Sequence, residues 1–146
     1  MIMKKYLWIF ISAVLLETIV FPLRGLHLPT YPYLGHQVCM LVGTVLFFLL
    51  TVYLLRKYKN RIQPSYTVIL LLIGCCILEL PDGIFIYIRY GNLTASPPQL
   101  LLRWIAIFLG LIYCKMETRK KRNILLFCGL ILLLIALWGN VFWFQL

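Results

Sequence analysis

Residues 37–61 read QVCMLVGTVLFFLLTVYLLRKYKNR. From Gln37 to Leu55 there is no Asp, Glu, Lys or Arg, and Arg56, Lys57, Lys59 and Arg61 follow at once. A hydrocarbon core about 30 Å thick needs about 20 apolar residues, each rising about 1.5 Å along a helix. An uncharged run of this length that ends in a cluster of cations has the pattern of a transmembrane helix with its basic end in the cytoplasm.

The rest of the chain repeats the pattern. Over 146 residues, 63% are hydrophobic and 12% charged, and the mean hydropathy is +0.96. Soluble domains run at about 45–50% apolar and about 25% charged. A soluble globular fold is excluded, and so is disorder, which requires low hydrophobicity. The expected fold is all-α: a polytopic membrane bundle of five transmembrane helices at about 6–23, 37–55, 66–88, 99–114 and 124–144. The connections are short, so residues 1–146 form a single transmembrane domain.

Fourteen Lys and Arg against four Asp and Glu give a net charge of +10. In a soluble protein this would point to nucleic acid. Here Lys4 and Lys5, the four cations after helix 2, and Lys115, Arg119, Lys120, Lys121 and Arg122 all fall on one side of a five-span scheme. That is 11 of the 14; Arg24 and Arg89 fall on the other side, and Arg103 lies inside a span. The basic charge is thus an orientation signal, with the N-terminus in the cytoplasm, the C-terminus outside and no nucleic-acid partner. The expected location is the cytoplasmic (inner) membrane of a bacterium, with the lipid bilayer and a further membrane protein as partners. Lys4 and Lys5 before an apolar run also fit a signal peptide. No small-x-small cleavage site follows, and Glu17 and Pro22 occupy that region, so the first run reads as an uncleaved span. Tyr31 and Tyr33, with Trp138, Phe142, Trp143 and Phe144, fall where aromatic belts lie.

Ionisable groups inside a bilayer are costly and mark candidate sites. Four fall within the spans, all toward the outer side: Glu17, Glu79, Asp82 and Arg103. Glu79 and Asp82, three residues apart, share a helix face. Pro81 between them removes a backbone donor and marks a helix kink. The arginine fork suits either carboxylate as a counter-ion. Two readings follow: a structural clamp tying helix 3 to helix 4, or a polar outer cavity for an ion, a proton or a headgroup. Helix 4 carries an inward stripe of Gln99, Arg103, Ala106, Gly110 and Cys114, the small and polar residues that allow close approach in lipid.

Cys39, Cys75, Cys76, Cys114 and Cys128 form no C-x-x-C pair and read as small hydrophobes. His27 and His36 lack the spacing of metal ligands, so no metal and no cofactor are expected. Asn92-Leu93-Thr94 fits a glycosylation sequon on the outer side. No phosphate-binding loop, nucleophile elbow or paired-carboxylate motif occurs, so no catalytic residue is assigned and the chain reads as a non-enzyme.

Glu79-Leu80-Pro81-Asp82, then Ser96 to Arg103, Ala106-Ile107 and Gly110, resemble the later half of VanZ-like membrane proteins. The Asp and Asn of the second VanZ-like motif have no counterpart here, so the resemblance implies a multi-span fold and no activity. Residues 75–146 are also similar to the multi-span membrane region that precedes a thioredoxin-like domain in some bacterial redoxin proteins. That resemblance implies an attachment point for an extracytoplasmic redox domain at the outward C-terminus. Three functions therefore stand: a non-enzymatic anchor or interaction subunit, a small transporter or lipid-headgroup-handling protein using Glu17, Glu79 and Asp82, and the membrane portion of a thiol-redox protein.

Overall fold

The computed structural model describes the backbone of residues 2–20, 34–90 and 96–145; within these helices the side chains of 2, 34, 36, 78–83, 85–87, 89–90, 96–99 and 136–145 lie outside the description. Five α-helices and no strand occur among the described residues: α1 (Ile2–Val20), α2 (Leu34–Lys57), α3 (Pro64–Tyr90), α4 (Ser96–Lys115) and α5 (Arg119–Gln145). Among those residues, Gln37–Lys57 is the one stretch long and apolar enough to cross a membrane, with a shorter apolar run at Pro64–Ile77. The nineteen residues of α1 include Lys4, Lys5 and Glu17.

The helices outrun the apolar segments that mark them in the sequence. The expected fifth helix begins near 124, whereas α5 begins at Arg119. The basic run forms its first turn because Lys and Arg are strong helix formers. The Thr118 carbonyl accepts the Arg122 N–H at 3.1 Å, which places Thr118 at the N-cap. Likewise Gln63 accepts the Thr67 N–H at 3.4 Å and precedes Pro64, whose missing N–H costs nothing in a first turn. The backbone of α3 stays helical through Pro81 to Tyr90.

Four helices form a closed ring. α1 packs on α3, α3 on α4, α4 on α2 and α2 on α1, and α5 lies outside against α4 and α2. Small residues set the closest crossings, because only they let two helix backbones approach. A Cβ on Gly74 of α3 would collide with the Ala13 methyl of α1, and one on Gly110 of α4 would lie 2.9 Å from Thr51 of α2. The core between them holds Ile9, Phe47, Leu54, Leu71 and Ile107.

The outward faces are apolar. Leu7, Ile11 and Leu15 on α1, Leu41, Val45 and Leu49 on α2, and Ile69, Ile73 and Ile77 on α3 recur every fourth residue and are all exposed, as are Phe127, Leu130 and Ile131 on α5.

The basic end of α2 is held by aromatic rings. Lys57 Nζ lies 5.7 Å from the Trp8 ring centroid and 5.6 Å from those of Tyr53 and Tyr58, which ties α2 to α1. Lys57→Met is expected to destabilise the bundle by about 1 kcal/mol in detergent unfolding, with Lys57→Arg retaining most of it. Equal loss in both variants would assign the effect to packing of the stem instead.

Candidate functional site

Arg103 is the largest fully buried side chain among the described residues, with a relative exposure of 1%, and Glu17 is equally buried. α4 brings Arg103 inward on the stripe expected from its sequence: Ala106 and Gly110 are also buried, and Cys114 is half-buried. α1 brings in Glu17 one turn beyond Ala13, on the face that packs inside the ring.

Arg103 Nη1 donates to Glu17 Oε2 at 2.7 Å and also lies 2.7 Å from Oε1. Nη2 donates to Cys39 Sγ at 3.4 Å, and that thiol in turn donates to the Val20 carbonyl at 3.7 Å. Val20 is the last described residue of α1. The other side of the guanidinium rests on Gly43 of α2, where a Cβ would stand 2.9 Å from Nε and 3.0 Å from Nη2. Glycine at 43 is therefore a steric requirement of the arginine's position. Cys75 of α3 is buried in the same core.

One side chain of α4 thus engages α1 and α2 directly. α1 and α4 sit on a diagonal of the ring, with no close backbone approach between them among the described residues. The ion pair links them across the core, within which Ile9 and Ala13 of α1 and Ala106 and Ile107 of α4 belong to one apolar cluster. The threonine hydroxyls of α2 are satisfied within their own helix: Thr44 Oγ1 donates to the Met40 carbonyl at 2.5 Å and Thr51 Oγ1 to the Phe47 carbonyl at 2.6 Å.

Two of the four expected intramembrane charges, Glu17 and Arg103, are brought together. The clamp expected from the sequence joins helices 3 and 4, whereas the described pair joins α1 to α4. The side chains of Glu79, Pro81, Asp82 and Gln99 lie outside the described residues, as do the segments with His27 and Asn92 and the aromatic side chains at the end of α5. Sequence reasoning missed the roles of Cys39 and Gly43. They are four positions apart, which places both on one face of α2, and this spacing is the available signal. Among the described residues no group of three or more His, Cys, Asp or Glu could hold a metal. No family model matches the chain, and no curated protein or solved structure matches it.

Proposed function

We propose that this chain is a five-span integral membrane protein, cytoplasmic at its N-terminus and outside at its C-terminus, acting as a non-enzymatic anchor or interaction subunit. The observation that carries the reading is the inversion of burial: an arginine and a glutamate occupy the core while the outward faces present Leu, Ile, Val and Phe. A water-soluble monomer rarely exposes such continuous apolar surface. A bilayer requires it, and also requires each internal charge to face a partner. The closed Glu17–Arg103 pair, exposed by 1% on each side, supports the clamp over an open polar cavity. On this reading the outward leucines and isoleucines contact lipid or a further membrane protein, and the bacterial cytoplasmic membrane is the location.

Topology is tested with reporters active on one side of the membrane only. Fusions in the Tyr58–Gln63 connection and in residues 116–118 are expected to score cytoplasmic, and a fusion after Leu146 to score outside. A cytoplasmic score after Leu146 would overturn the five-span count. The clamp is tested in proteoliposomes, where proton or cation flux should equal that of protein-free vesicles. Flux above that level, abolished by Glu79→Gln, would establish the transporter in its place.

A further inference from the structure

A groove at the inner ends of α2 and α4 joins charge to grease. It encloses about 390 Å³ and is lined by Arg56, Lys59 and Lys115 together with Leu55, Pro64 and Leu111. We propose that it seats the phosphate of an anionic phospholipid headgroup; this rests on the five-span reading, which puts the groove at the cytoplasmic surface.

The three cations come from three separate places: the end of α2, the α2–α3 connection and the end of α4. Gathering like charges is unfavourable unless an anion shares the space. Glu117, in the neighbouring α4–α5 connection, is exposed and is not part of the lining. Arg56 is further positioned by Tyr113: its Cζ lies 6.0 Å from that ring, and the Arg122 Cζ lies 5.9 Å from the same ring. A guanidinium held in place presents a planar fork that fits phosphate oxygens. Leu111 lies one turn deeper than Lys115 on the same face of α4, and Leu55 adjoins Arg56. The groove is therefore basic at the membrane surface and apolar a turn below, matching a headgroup with the start of its acyl chains. A free phosphate would use only the first half. Basic pockets between membrane helices on this side recognise such headgroups.

The test uses the full chain in mild detergent, with bound lipid counted by native mass spectrometry. Phosphatidylglycerol is compared with phosphatidylcholine, and inorganic phosphate is added as competitor. Wild type should retain phosphatidylglycerol at least about tenfold better than phosphatidylcholine. The R56A/K59A/K115A variant should lose that preference, while R119A/K120A/K121A, with the same charge removed outside the groove, should keep it. An unchanged preference in the first variant, or an equal loss in the second, overturns the proposal. Displacement of the lipid by millimolar inorganic phosphate also overturns it, in favour of a soluble anion. Flotation with vesicles separates the two readings. A chain that floats without lipid preference defeats the groove alone, and a chain that does not float defeats the five-span reading with it.

Discussion

Arg103→Leu is expected to remove most of the folded protein from the membrane fraction, and Glu17→Leu to do nearly the same. Each leaves behind a charge buried to 1% exposure. Removing one partner of a buried pair costs about 3–5 kcal/mol, because the remaining ion keeps its desolvation penalty and loses its compensation. The double variant should recover most of that loss, since replacing a whole buried pair by apolar side chains of similar volume is often close to neutral. A double-mutant cycle in detergent unfolding should therefore show coupling of at least about 2 kcal/mol. Arg103→Lys should fall between wild type and leucine. An ammonium can meet Glu17, but it lacks the second arm that reaches Cys39 at 3.4 Å. If the double variant is no better than the worse single one, the pair is not what joins α1 to α4.

Gly74 carries the second large effect. A methyl added there meets the Ala13 methyl across the α1–α3 crossing, and neither methyl can rotate out of the way. Overpacking of this kind costs about 1–3 kcal/mol. Gly74→Ala is expected at the upper end, and Gly74→Leu should abolish the docking of α1. The remedy is specific. With Ala13→Gly in place, the nearest neighbours of the new Cβ are the Phe10 carbonyl oxygen at 3.4 Å and the Ala13 Cα at 3.6 Å, which are ordinary contacts. The Ala13→Gly, Gly74→Ala exchange should therefore restore most of the melting temperature that Gly74→Ala loses. A failure of rescue would show that this crossing is not set by the two small residues.

Much of this architecture is legible in single residues. The uncharged run from Gln37 to Leu55 marks α2, because nothing but a buried or membrane helix tolerates nineteen such residues. The stripe Arg103, Ala106, Gly110 is legible as the inner face of α4 because a helical period of 3.6 keeps those positions together. The helix ends were less legible. Arg119 to Arg122 break the apolar pattern yet form the first turn of α5, since hydropathy reports where a helix leaves lipid and not where its backbone stops. The partner of Arg103 was also underdetermined. Glu17, Glu79 and Asp82 fall at similar depths, and depth alone does not say which helix lies across the ring. That depends on the α1–α3–α4–α2 order, which arises from crossings such as Gly74 on Ala13 that pair residues sixty positions apart. Cys39 illustrates the same limit: a cysteine in an apolar helix reads as a small hydrophobe until an arginine from α4 and the end of α1 are placed beside it.

On the five-span reading all five helices face lipid, and four of them enclose the Glu17–Arg103 pair. Spin labels at Ile11, Val45, Ile73, Phe108 and Leu130, one exposed apolar position on each helix, probe this in bilayers, in a background that lacks Cys76, Cys114 and Cys128 and keeps the buried Cys39 and Cys75. All five labels are expected to be relaxed by oxygen dissolved in the bilayer and shielded from a water-soluble nickel reagent. Access of the nickel reagent to the label on any one helix, with the oxygen effect lost, would contradict the five-span reading.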